Sequence, residues 1–194
     1  KMLSKKYKLR FLSSGLLYRY AGFMIIKNNP KNQITFLKQK FKNLNYNKMT
    51  KINLHTPEVS KKSAEIAKIN KIRKILKKFQ TEFSRKFKNC CIEGRDISTK
   101  ILPYSDVKFF FKCNLNIAAK RRYNELKKRN NKIKFKDVKK ALRIRNNQDI
   151  RRRFSPLKKH RNAIEIDTGK LNKQAMLAKM SKYVDKVIEK KYGN

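Results

Sequence analysis

The chain has 194 residues, enough for one principal core that buries roughly 70% of the surface its unfolded form would expose. Its 54 Lys and Arg against 13 Asp and Glu give a formal charge of +41, so a polyanion is the first partner to weigh. Three cysteines without metal-ligand spacing exclude a disulfide scaffold or zinc ribbon, and the most apolar window, "GLLYRYAGFMII", carries Arg19 in its middle and is too short to span a bilayer.

Short apolar runs alternate with longer stretches of helical period, which predicts an α/β fold with a mainly parallel sheet. The first strand is expected over residues 9–13, followed by a helix through "SSGLLYRYAGFMIIKN" whose serines can cap it. Residues 27–88 break the alternation and read as a mostly helical insert between a first core segment, 1–26, and the remainder, 89–194. Within it "TPEVSKKSAEIAKI" offers Thr56 as cap, Pro57 at the first helical position and Glu58 in the first turn. The next helix turns Ile72, Ile75, Leu76 and Phe79 inward. Strands follow over 89–92, 107–113 ("VKFFFKC") and 163–167 ("AIEID"), with a helix through "NIAAKRRYNELKKRN" whose apolar face runs through Ile117, Ala118, Tyr123 and Leu126. The last helix carries a stripe of Met176, Met180, Val184 and Val187, read as a face lying on the sheet. Cys90, Cys91 and Cys113 each fall in an apolar run, and buried thiols in a reducing cytoplasm are expected.

The charge divides by residue type. The 40 Lys accompany 19 Asn and are spread over almost every segment, as an AT-rich coding bias on solvated faces would produce. Of the 14 Arg, six fall between Arg143 and Arg161, and planar guanidinium forks are what phosphate recognition needs.

Three constellations carry chemistry. In "RNNQDIRRRFSPL", Arg145, Asp149 and Arg152 are spaced i, i+4, i+7 and share a helix face. They form either a surface ion-pair ladder or two forks on a phosphate with a carboxylate beside a sugar hydroxyl. In "FLSSGLLYR" a strand ends at Ser13 and Ser14 and a helix begins, with Tyr18 and Arg19 in its first turns. That is either a capped helix with an exposed arginine or a phosphate seat. In "IEGRD", Arg95 and Asp96 leave the carboxyl end of a strand, the edge at which open α/β sheets bind ligands. A buried ion pair would also account for them.

The ordered set "FLSSGLLYR", "TPEVSKKSAEIAKINKIRKIL", "IEGRDISTKILPYSDVKFFFK", "AAKRRYNEL", "RNNQDIRRRFSPL" and "AIEIDT" closely resembles bacterial cytidylate kinases, nucleoside monophosphate kinases that phosphorylate CMP and dCMP. The likeness runs from about Lys1 to the C-terminal helix. It implies a parallel sheet of the P-loop nucleoside-kinase type, ATP with Mg²⁺ as phosphoryl donor, and in-line transfer of the γ-phosphoryl to CMP or dCMP. By resemblance, Ser14, Arg19, Arg95 and Arg152 contact the acceptor phosphate. Arg73 and Asp96 read the cytosine edge, and Arg145 and Asp149 lie at the ribose. Arg95, Arg152 and Arg153 would neutralise transferring charge. Residues 27–88 correspond to the CMP-binding insert and about 121–140 to a lid whose Arg121 and Arg122 approach ATP. No protein metal ligand is assigned. The resemblance further implies a cytoplasmic enzyme, monomeric when complete, without membrane or specific nucleic-acid partner.

Ser13 stands where the family usually carries Asp, Ala64 where it carries a base-contacting Ser, and Asn146 where it carries an acid. The five glycines cannot build a G-x-x-x-x-G-K-[ST] loop, so the chain is expected to be a fragment lacking the first strand and that loop, poorly stable and inactive by itself. The alternative is a basic, non-enzymatic RNA-binding protein of ribosomal type. It would explain the charge but not the arginines at strand ends. A kinase-like protein that binds CMP without turnover is a third reading.

Overall fold

The computed structural model describes residues 1–128 and 131–193. Its elements run α1 (Met2–Lys6), β1 (Arg10–Ser13), α2 (Ser14–Asn28), α3 (Gln33–Lys42), α4 (Tyr46–Met49), α5 (Pro57–Ile66), α6 (Asn70–Lys86), β2 (Cys90–Glu93), a π-helical turn (Ile97–Ile101), β3 (Phe109–Lys112), α7 (Leu115–Lys127), α8 (Phe135–Arg151), β4 (Ile164–Asp167) and α9 (Lys173–Tyr192). The fold is α/β with parallel strands, as expected. The strands do not join one sheet. They form two two-stranded sheets, β1–β2 and β3–β4, and among the described residues no further strand adds to either. The chain divides into two compact units, Leu3–Ile97 together with Lys1, and the segment from Ser98 onward.

In the first unit, β1 and β2 run parallel with Arg10 opposite Cys90 and Ser13 opposite Glu93, so the Ser13–Ser14 turn and the "EGRD" turn leave the same edge. Ser13 caps α2 by accepting from the Leu16 backbone N–H at 3.3 Å, and Asn29 ends it in the left-handed conformation (φ 37°) that asparagine tolerates. Helix α5 starts as its sequence dictates, with Thr56 accepting from the Val59 N–H and Pro57 in the first turn. The core joins both ends of this segment: Leu12 of β1 and Leu17, Ala21 and Ile25 of α2 bury against Leu37, Phe41, Met49, Ile66, Ile72 and Leu76. Edge-on aromatic pairs, Phe41–Phe79 and Tyr46–Phe83, close its rim.

Gly22 lets α5 approach α2 closely, because a Cβ there would lie 3.1 Å from the Ser63 backbone nitrogen. An alanine at 22 would require the α5 backbone to give by a few tenths of an ångström.

In the second unit, β3 and β4 pair in parallel with Phe109 opposite Ile164, and Glu165 is held by Lys112 at 2.8 Å and Lys159 at 3.4 Å. The α9 stripe is as expected: Met180 is buried and Met176, Val184 and Val187 are half-buried. On α7 three of the four expected residues, Ala118, Tyr123 and Leu126, are half-buried, Ala119 beside them is fully buried, and Ile117 lies at the exposed margin of the face. Cys90 and Cys91 are only half-buried and Cys113 is exposed. Strand β2 has a paired neighbour on one edge only and all of Cys90, Cys91 and Ile92 are half-buried, while Cys113 lies just past the end of β3.

Candidate functional site

The carboxyl ends of β1 and β2 bring together most of the residues singled out in the first half of the sequence. Gly94 makes this possible: a Cβ there would lie 2.8 Å from both the Ser14 Cβ and the Ile97 Cδ1. With only a hydrogen at that position, the "EGRD" turn lies directly against the buried Ser14 at the start of α2.

From this turn Asp96 points inward. It is 5% exposed and Arg73 is 7% exposed, and Arg73 Nη2 donates to Asp96 Oδ2 at 2.5 Å. Arg73 Nη1 donates to the Ala67 carbonyl at 3.1 Å, and its guanidinium lies 5.6 Å from the Tyr18 ring centroid. Two residues separated by 23 positions thus become one fixed polar unit that holds a carboxylate and a guanidinium side by side. Burial of such a pair is costly unless its hydrogen bonds are satisfied, and the carbonyl and the aromatic face supply part of that. Arg95 is half-buried on the same turn.

Arg19, one turn and a half into α2, is half-buried. Its Nη1 donates to the Leu54 carbonyl at 3.2 Å and to Ser60 Oγ at 2.7 Å. Ser13 does cap the helix, but Arg19 is not an exposed arginine. Ser13 is occupied twice, its hydroxyl by the α2 cap and its backbone N–H by Tyr46 Oη at 2.9 Å. Burial raises the Tyr46 phenol pKa, the bond from Ser13 partly offsets this, and the charge of Glu93 raises it further. Tyr46, Ser60, Leu54 and Tyr18's contact with Arg73 were not picked out from the sequence. The one available signal was Ser60, four residues after the cap Thr56, where a hydroxyl on α5 can turn back on its own helix.

In the second unit, Asp149 Oδ1 and Arg152 Nη1 pair at 3.2 Å. The expected helical column is corrected in one respect: α8 ends at Arg151, and Arg152 is its cap with extended backbone (ψ 140°). The chain then folds back. The Leu157 N–H donates to the Asp149 carbonyl at 2.7 Å, Arg152 Nε donates to the Ser155 carbonyl, and Ser155 itself adopts φ 52°. Arg145 is exposed on α8. Arg121 donates to the Thr168 carbonyl at 2.7 Å, Arg122 pairs with Glu125 at 3.0 Å, and Arg153 lies over Phe154. The expected lid, about 121–140, spans the end of α7 and the start of α8; its residues 129 and 130 lie outside the described residues.

Among the described residues no group of three or more His, Cys, Asp or Glu side chains is placed to hold a metal ion. No described helix is long and apolar enough to cross a membrane.

Parallel strands flanked by helices, with a hydroxyl, arginines and a buried carboxylate at the carboxyl ends, define an α/β protein whose polar cluster lies at the edge where open α/β sheets bind ligands. The cytidylate kinase family model matches residues 1–186. The chain belongs to the cytidylate kinase family. It is similar to the cytidylate kinase of Clostridium tetani, 30% identical over 205 aligned positions that cover 100% of this chain and 90% of that protein. The cytidylate kinases of Bartonella tribocorum and Bartonella quintana are 31% and 32% identical over 69% and 66% of this chain. The chain spans about three fifths of the length of those two relatives, 62% and 60%. Family membership favours the kinase reading over the RNA-binding alternative.

Proposed function

We propose that this chain binds CMP or dCMP as the phosphoryl acceptor of a cytidylate kinase whose donor is ATP. The observation that carries the reading is the buried Arg73–Asp96 pair at the β1–β2 edge. A cytosine ring presents an exocyclic amino donor beside the N3 and O2 acceptors, and a carboxylate beside a guanidinium offers the complementary pattern. UMP, whose ring has a carbonyl in place of that amino group, would set an oxygen against Asp96 and leave a buried acceptor opposed by another.

In this reading the acceptor phosphate takes Arg95 and Arg19 at the start of α2, with the Ser14 hydroxyl beside them. Guanidinium forks favour a dianionic phosphate over a carboxylate or a neutral group and hold it in one orientation, which is where such transfers gain most of their rate. The insert 27–88 would carry the base-reading arginine, and the lid 121–140 would cover the donor with Arg121 and Arg122. For Arg145, Asp149, Arg152 and Arg153 the ribose, phosphate and charge-neutralising roles rest on the family likeness. Mg²⁺ would arrive on the phosphates of ATP, which needs no protein carboxylate cage. A cytoplasmic, monomeric enzyme is the setting this reading implies.

The test is calorimetric titration of the 194-residue chain with CMP, UMP, AMP and a single-stranded polynucleotide at two salt concentrations. CMP is expected to bind at least tenfold more tightly than UMP or AMP, with a shallow salt dependence. Indifference to CMP together with polynucleotide affinity that collapses between low and high salt would overturn the reading in favour of an RNA binder.

A further inference from the structure

Resting on the reading of Arg19 as a phosphate ligand, we propose that Ser60 is the positioning residue that aims Arg19, so that the phosphate grip is set from the insert helix α5 rather than from α2 alone. The Ser60 hydroxyl donates its single hydrogen to the Thr56 carbonyl at 2.7 Å, which turns its lone pairs outward, and one of them accepts from Arg19 Nη1 at 2.7 Å. The second hydrogen on the same Nη1 goes to the carbonyl of the fully buried Leu54 at 3.2 Å. Nη1 carries two hydrogens and both are used, so the plane of the guanidinium is fixed by two acceptors that belong to the Leu54–Ser60 segment. The edge formed by Nε and Nη2 is the one a phosphate takes in a bidentate grip, and its direction follows from that plane.

The reach depends on close helix packing. Gly22 brings α5 against α2 with backbone at 3.1 Å from where a Cβ would stand, and Thr56 and Pro57 fix where α5 begins. Ser60 therefore sits in the first turn of a helix whose start and approach are both constrained. Moving α5 would rotate Arg19 off its target.

The experiment compares Ser60→Ala, Ser60→Thr, Arg19→Ala and the double variant Ser60→Ala/Arg19→Ala, each titrated with CMP and with cytidine, which lacks the phosphate. Ser60→Ala is expected to weaken CMP roughly tenfold, the scale of one charge-assisted hydrogen bond, and to leave cytidine unchanged. Ser60→Thr keeps a hydroxyl at the same place and is expected to restore CMP binding. In the Arg19→Ala background, Ser60→Ala is expected to cost nothing further. Unchanged CMP affinity in Ser60→Ala, equal losses for CMP and cytidine, or a full Ser60→Ala effect without Arg19 would each overturn the inference. A wild-type chain that binds CMP and UMP alike defeats the cytidylate reading and leaves Ser60 to be decided by the CMP–cytidine difference. A wild-type chain that binds neither CMP nor cytidine defeats both.

Discussion

The two units solve the same problem, holding an arginine beside an aspartate, by different means. In the first, Arg73 and Asp96 come from a helix and a strand-end turn far apart in sequence and are almost fully buried. They sit over a core in which Leu12, Leu17, Leu37, Met49, Leu54, Ile66, Ile72 and Leu76 are all sealed from solvent. In the second, Asp149 and Arg152 are three residues apart at a helix end and keep about 15% of their side-chain surface, and among the described residues Ile166 alone of the largest fully sealed side chains lies there. A pair made by tertiary packing is rigid and expensive to break. A pair made by local chain reversal is cheaper and more easily remade. Base recognition, which must reject a ring differing by one functional group, needs the first kind.

The comparison breaks most clearly if the two arginines are removed in turn. Arg73→Met leaves a carboxylate buried without its charge partner and is expected to destabilise the chain by about 3–5 kcal/mol, whereas Arg152→Met, whose partner Asp149 keeps about 15% of its side-chain surface, is expected to cost less, about 1.5–3 kcal/mol. Urea unfolding of both variants checks this, and equal losses would erase the distinction.

Gly94→Ala sharpens it further. The added Cβ collides with Ser14 and Ile97 at 2.8 Å, so a loss of roughly 1–3 kcal/mol is expected, with weaker CMP binding because the turn is forced away from α2. Gly169→Ala in the second unit, where the nearest atoms are flexible side-chain ends at 3.1 and 3.2 Å, should cost less and leave CMP affinity unchanged.

Smaller effects follow from titration. Burial raises the Cys91 thiol pKa, and burial with the neighbouring Cys91 raises that of Cys90, while Cys113 is exposed. Alkylation at mildly basic pH is expected to label Cys113 first, because the thiolate is the reactive form. The Lys112 hydrogen bond, followed by Lys159, holds the Glu165 carboxyl below its usual value. A depressed acid stabilises the fold above its unfolded pKa and loses that contribution as pH falls through its folded value. The small stability difference between wild type and Glu165→Gln should therefore be present at neutral pH and fade as the pH falls from the ordinary glutamate range through the lowered folded value.

Much of this was legible in the sequence because it is local. The four strands, the Ser13 and Thr56 caps and the α9 stripe follow from period and capping chemistry within a few residues. The Arg73–Asp96 pairing could be anticipated only from family likeness, since no local rule joins residues 73 and 96. What escaped was set by packing between elements. The Arg19–Ser60 bond depends on how closely α5 meets α2 at Gly22, and the hold of Tyr46 on Ser13 depends on where α4 comes to rest. On α7 the helical period found the covered face through Ala118, Tyr123 and Leu126, and missed only Ala119 as its most buried residue.

The most direct test of the central claim, that the β1–β2 edge divides base reading from phosphate binding, is to titrate Asp96→Asn and Arg95→Ala with CMP, UMP and AMP. Asp96→Asn keeps the size of the side chain and removes its charge. It should lower CMP affinity and shrink the preference for CMP over UMP, whereas Arg95→Ala should weaken all three nucleotides by a similar factor and leave the preference standing. If both variants lose the same nucleotides in the same proportion, the edge does not divide its work in this way.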